Sequence, residues 1–155
     1  MCIRDRYGIS AEDERLVPYF LGYSTLVRGY DPNSFQATEC SITLVGNCPE
    51  FDRLVGSRMI VTNLEVRAPA VGLFTGNMDY GPIPVELFGF YDGGVAWNKH
   101  ESPQFTGGTR NWVGSVGVGA RVNVMGFMIT EFNLARPLQR VGRGWMFVFN
   151  IRPSF

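Results

Sequence analysis

From Arg58 onward, apolar and polar residues alternate with period two in segments separated by turn residues, and no stretch sustains a helical period. The clearest segment runs from Trp112 to Val124. There Trp112, Gly114, Val116, Val118, Ala120, Val122 and Val124 form one row, while Ser115, Gly117, Gly119, Arg121 and Asn123 form the other. The chain closes in the same way, with Trp145, Phe147, Phe149, Ile151, Pro153 and Phe155 in phase against Met146, Val148, Asn150, Arg152 and Ser154. In a soluble sheet that last segment would be an apolar edge prone to aggregate, whereas it suits a strand whose outer face meets hydrocarbon.

Three further strands follow from the same alternation. The first spans about Arg58 to Ala68, with Ile60, Leu64, Val66 and Ala68 opposite Asn63, Glu65 and Arg67. The next spans about Val85 to Trp97, where Glu86, Phe88, Phe90 and Asp92 lie opposite Val85, Leu87, Tyr91, Val95 and Trp97. A tight turn at Met125-Gly126 leads from the Trp112 segment to a strand over about Phe127 to Arg136, which carries Glu131 and Asn133 against Thr130, Phe132 and Leu134. Val71 to Pro84, His100 to Arg110 and Pro137 to Gly144 read as loops. The predicted fold is all-β and antiparallel, with acids and bases gathered on one face as a water-filled lumen requires. About five strands do not close a barrel, so the expected object is a curved, incomplete sheet. The glycines of the Trp112 segment would let that face pack closely or the sheet curve.

Composition narrows the function. The chain has 155 residues, 45% of them apolar, which is enough for one domain; 19 glycines and 12 phenylalanines suit turn-rich β structure. Fourteen basic residues balance fourteen acidic ones without blocks of like charge, so there is no electrostatic footprint for nucleic acid. No apolar run approaches the roughly 18 residues of a transmembrane helix, but a barrel strand needs only about 10 alternating residues. The single histidine, His100, leaves no triad or metal cluster; Gly117-Val118-Gly119 lacks the third glycine of a dinucleotide loop, and no Gly-x-Ser-x-Gly or P-loop occurs. No enzyme activity and no cofactor are expected.

The amino-terminal third differs in kind. Ser10 with Asp13 offers a capping pair for a short helix before Pro18, although a solvated arm is the stronger reading. Met1-Cys2-Ile3-Arg4-Asp5-Arg6 has no apolar core or cleavage site of a signal peptide. That hexapeptide resembles translated sequencing-adapter read-through, so residues 1 to 6 are given no part in the fold reading and the chain is expected to be a C-terminal fragment. Cys40 and Cys48 are near enough in sequence for a disulfide or for two free thiols; a zinc site would want more ligands. Between them and the start lies Val27-Arg28-Gly29-Tyr30. Gly29 permits a turn that other residues resist, Asp31-Pro32-Asn33 punctuates a loop, and Arg28 at such a tip must be solvated or paired.

Taken in order, Val27-Arg28-Gly29-Tyr30, then Asn63-Leu64-Glu65-Val66-Arg67-Ala68-Pro69, then Phe88-Gly89-Phe90-Tyr91-Asp92-Gly93-Gly94-Val95-Ala96-Trp97, then a last strand ending in Phe155, resemble the C-terminal part of the Omp85 superfamily. This is also called the bacterial surface antigen or D15 family, and it includes the BamA and TamA assembly proteins. The resemblance covers about residues 16 to 155. It implies a transmembrane β-barrel of sixteen strands in the bacterial outer membrane, of which this chain supplies about the last five, with residues 7 to 57 as one long extracellular loop folded back into the lumen, a length that argues for a functional insertion. It implies that the loop arginine reaches acids on the two strands that follow, here Arg28 to Glu65 and Asp92. It also implies that the row Trp145, Phe147, Phe149, Ile151 and Phe155 is read by the outer-membrane assembly machinery. The further partners implied are outer-membrane lipid and unfolded client proteins. Assembly or translocation of proteins is the leading expectation, and upstream periplasmic POTRA domains would mark it. The alternative is a barrel that anchors a patatin-like lipase or a β-propeller, and a soluble β-sandwich is a third possibility.

Overall fold

The computed structural model describes residues 2–4, 18–36, 39, 48–76, 84–98, 101–104, 110–124, 126–140 and 142–153. In chain order its elements are β1 (Cys2–Arg4), β2 (Tyr19–Phe20), a 3-10 turn (Pro32–Ser34), α1 (Pro49–Asp52), β3 (Val55–Gly56), β4 (Arg58–Pro69), α2 (Ala70–Thr75), β5 (Val85–Trp97), β6 (Val113–Val124), β7 (Met128–Pro137) and β8 (Met146–Pro153). One antiparallel sheet runs in the order β1-β4-β5-β6-β7-β8, and β2 pairs with β3 in a separate ribbon. Neighbours in sequence are neighbours in space from β4 to β8, as short connections dictate. The sheet is open, with β1 and β8 at its edges.

The strands fall where the alternation predicts them, and the remaining segments differ. Cys2–Arg4, given no part in the fold above, pairs with Met59–Val61, because the outer side of β4 presents backbone groups that an extended segment satisfies. A short helix occupies Ala70–Thr75, where a loop is predicted. Pro69 enters it in extended geometry and Gly76 closes it at φ 74, and six residues are too few to show a helical period. The long loop is not bare: the β2–β3 ribbon pins its two ends together, and prolines start both the 3-10 turn and α1. Ser10, Asp13, Cys40, His100, Met125 and Phe155 lie outside the described residues. Trp112 and Trp145 each precede rather than begin a strand.

The two faces of the sheet separate as the sequence pattern requires. Outward, Leu64, Val66, Val118, Phe132, Leu134, Phe147, Phe149 and Ile151 remain exposed, from 41% at Phe132 to 73% at Val66. An apolar surface this continuous is out of place in water and in place against lipid. Inward, the upper half of β4, β5 and β6 meets the loop, and Leu21, Val27, Tyr30, Leu54, Met59, Val61, Ala96 and Val113 form the main buried cluster.

Below it the inner face is built by register. Phe90 stands opposite Gly117 and Phe88 opposite Gly119, so each ring lies over a residue without a side chain. A Cβ on Gly117 would collide with the Phe90 ring and the Leu134 carbonyl, and one on Gly119 would collide with the Phe88 ring. On the outer side, Gly89 has only the Gly117 carbonyl near, at 4.0 Å. Gly117→Ala is therefore expected to displace Phe90 and cost about 1–3 kcal/mol, while Gly89→Ala stays near neutral. The midpoint of heat-modified gel mobility of the two variants in detergent measures this, and equal midpoints would refute the packing role.

Candidate functional site: a clamp under the loop

The loop descends onto the inner face through a tight turn in which the Tyr23 carbonyl accepts hydrogen bonds from the Leu26 and Val27 amides at 2.8 and 3.0 Å. Val27 and Tyr30 anchor in the apolar cluster on either side. Arg28 between them is thereby aimed at the charged face. Gly29 follows at φ 86, a backbone angle that a side chain resists.

Arg28 is 5% exposed. Its Nε donates to Asp92 Oδ2 at 2.6 Å and its Nη2 to Asp92 Oδ1 at 2.9 Å, a two-pronged pairing of fork and carboxylate. Nη2 also donates to Glu65 Oε1 at 3.0 Å. The structure thus brings together the three residues singled out from the sequence, Arg28 with Glu65 and Asp92. The register explains the convergence: Asn63 pairs with Asp92 and Asp92 with Ser115, so the acid sits mid-sheet, and Glu65 lies one inward position below on β4, beside Phe90. Asn63 Nδ2 donates to Asp92 Oδ1 at 2.8 Å and to the Leu26 carbonyl at 2.7 Å, tying acid and loop in a second way.

Four partners escape the sequence reading. Glu131 Oε1 lies 3.7 Å and Asn133 Oδ1 3.4 Å from Arg28 Nη1, and the guanidinium carbon sits 3.5 Å from the Phe90 ring centre and 5.8 Å from that of Phe88. Their inward parity is visible in the pattern; their distance from the loop, two strands away for Glu131 and Asn133, is not. Burial alone would push the guanidinium towards losing its proton, but the hydrogen bonds and charges of Asp92 and Glu65 outweigh it and raise its pKa above the ordinary value. Below the clamp, Arg121 pairs with Glu131 at 2.7 Å, Arg67 pairs with Glu65 at 2.7 Å, and Arg152 lines the same polar cleft of about 660 Å³.

Tyr30 is fully buried, and its hydroxyl donates to the Gly114 carbonyl at 3.0 Å. Gln139 closes the motif by accepting from the Gly114 amide at 2.6 Å. Burial pushes the Tyr30 hydroxyl up to about 12. A second arginine grips the loop from the other side: Arg140 pairs with Glu39 at 2.7 Å, as does Arg143. Burial works to raise the Glu39 pKa, but hydrogen bonds from Arg140 and Arg143 prevail and hold it below the usual carboxylate range. Cys48 is disulfide-bonded, while Cys40, the partner expected from the sequence, lies outside the described residues. Phe147, Phe149 and Ile151 stand on the outer face as one row, with Trp145 just above and exposed. No cluster of metal-binding side chains occurs among the described residues. What the arrangement performs is mechanical: it fixes a loop to a sheet with charges that water reaches poorly.

A family model described as the Omp85 superfamily domain matches residues 16–152. No curated protein and no solved structure matches the chain. That superfamily consists of outer-membrane β-barrels of protein insertion and translocation, and its members are in general not enzymes.

Arg28→Ala and Asp92→Ala each leave a buried charge without its partner, a change worth about 3–5 kcal/mol. Both variants are expected to expose the loop to surface protease and lower the temperature of heat-modified gel mobility, whereas unchanged behaviour in both would refute the clamp. The tyrosine supplies a pH dependence. Its folded pKa lies above the ordinary value of 10.0, so its contribution is intact below pH 10 and is lost as pH rises towards about 12. Protease release of the loop in that window should be steeper in the native protein than in Tyr30→Phe, and identical profiles would remove Tyr30 from the account.

Proposed function

Because the chain belongs to the Omp85 superfamily, we propose that it forms the C-terminal part of a bacterial outer-membrane barrel that assembles or passes other proteins, in the manner of BamA or TamA. The observation that carries this reading is the Arg28 clamp. Here a loop is folded into the inner face and held there by a buried cation on Asp92 and Glu65. Such a fastening keeps a large loop in one place while leaving the lower lumen polar and open, as a passage or chaperoning surface for unfolded client proteins requires.

The remaining partners follow from the two faces. Outer-membrane lipid meets the exposed apolar rows, and the assembly machinery meets the terminal row of Trp145, Phe147, Phe149, Ile151 and Phe155. Val27, Arg28, Gly29 and Tyr30 with Glu65 and Asp92 act as the loop lock, and the half-cystine at Cys48 with Cys40 staples the outer part of the loop. The work requires no cofactor, since positioning and hydrophobic transfer supply it.

Depletion of the intact protein in its own bacterium tests the reading. Other barrel proteins or a secreted client should fall in the outer membrane or medium, and Arg28→Ala should reproduce part of that loss at normal barrel abundance. Unchanged levels of every other outer-membrane and secreted protein, with loss only of a lipase or propeller domain from the cell surface, would overturn it in favour of an anchor.

A further inference from the structure

Outside the clamp, the connection between β7 and β8 is held in an unusual way. Little of it is apolar and covered: Leu138 is 50% exposed and Trp145 56%. Its fixed point is instead Arg140, whose side chain has no exposed surface. The guanidinium fork spends its donors on the loop. Nε donates to Glu39 Oε2 at 2.8 Å and Nη2 to Glu39 Oε1 at 3.0 Å; Nη1 donates to the Gly29 carbonyl at 2.7 Å and to Ser34 Oγ at 2.8 Å; Nη2 also donates to the Ser34 carbonyl at 2.9 Å. The Phe35 ring lies under it, 4.0 Å from centroid to guanidinium carbon. Nη1 also approaches Met146 Sδ at 3.8 Å, and Met146 is the first residue of β8. Arg143 reinforces the hold by donating to Glu39 Oε1 at 2.7 Å and to the Ser34 carbonyl, and Gln139 adds its bonds to Tyr30 and Gly114.

One side chain thus joins the glycine of the Val27-Arg28-Gly29-Tyr30 motif, the 3-10 turn and the start of the last strand. Along its described length β8 pairs with β7, and its first residue, Met146, lies within reach of the Arg140 fork. We propose that Arg140 is a positioning residue that couples the lumen loop to the terminal strand, so that the upper end of β8 is held in place only while the loop is seated. A fully satisfied, buried fork is suited to this task, because it is either engaged or broken; a lysine at the same position offers neither the planar geometry nor the donors. The coupling links two clamps that share the loop: Arg28 fastens it to β4 and β5, and Arg140 fastens it to the β7–β8 connection. It does not depend on what the barrel carries, and it fails or stands separately from the translocation role.

Hydrogen exchange of the intact barrel protein in bilayer nanodiscs, read by mass spectrometry, tests the coupling. In Glu39→Gln, which keeps the side-chain volume, amides of Arg28–Ser34 and of Met146–Phe149 should exchange together, about tenfold or more faster, with the β5–β6 ladder unchanged. Arg140→Lys should behave likewise. Asp92→Ala, which frees the loop at the other clamp, should also accelerate Met146–Phe149, and should add little when combined with Glu39→Gln. Acceleration confined to residues 138–145, or full additivity of the two substitutions at Met146–Phe149, would overturn the proposal and leave Arg140 a local brace. Arg140→Ala is the harsher variant, and where it does not fold Glu39→Gln decides alone.

Discussion

A guanidinium withdrawn from water is the constraint to which the rest of this protein answers. Arg28 loses its hydration on entering the inner face, and a cation so placed persists only where anions and acceptors replace that water. Asp92 does most of this with two oxygens, Glu65 adds a third, and Phe90 covers the flat face of the fork that carries no donors. Each of these groups stands on a strand, and their spacing is set by the ladder. A slip of one residue between β4 and β5 would turn Glu65 or Asp92 towards lipid. The clamp is therefore also a check on register.

The sheet in turn makes room for the clamp. Two phenylalanines with one residue between them on β5 face two glycines with one residue between them on β6. The far ends of the rings reach into the space that side chains on Gly117 and Gly119 would fill, and the Arg28 guanidinium packs on the Phe90 ring. Bulk on one strand and its absence on the next act as a pair, and neither half has a purpose alone. The outward side of the sheet faces a different solvent, and there the Phe132 ring of β7 lies 6.3 Å from Phe147 and 5.1 Å from Phe149 of β8, centre to centre.

Much of this is legible in the sequence because it rests on period two. Alternation alone places β4 to β8, assigns Glu65, Asp92, Glu131 and Asn133 to one face, and puts the phenylalanines of β8 on the other. The joining of Arg28 to Glu65 and Asp92 comes from resemblance, since nothing in local spacing shows where a loop tip lands. What stays hidden depends on contacts far apart in the chain or on elements too short to show a period. Ala70–Thr75 is helical over six residues, and Cys2–Arg4 pairs only because β4 leaves an edge. Arg140 sits among Leu138, Gln139 and Arg143 in a stretch that reads as an ordinary polar turn. Its partner Glu39 is 101 residues away.

Two arginines held by one loop differ from two independent salt bridges in what they permit. Glu39 and Asp92 do not touch, yet the segment from Arg28 to Glu39 spans both, and Gly29 belongs to each: its left-handed turn aims Arg28 downward, and its carbonyl accepts from Arg140. If the loop rises, Arg28 leaves with it and Asp92 and Glu65 lose their cation, while Arg140 stays behind without Glu39, Ser34 and the Gly29 carbonyl. The side chain that holds the loop at Gly29, Ser34 and Glu39 also meets Met146 at the start of β8. The proposed coupling from loop to β8 therefore runs through a handful of side chains and not through the intervening strands.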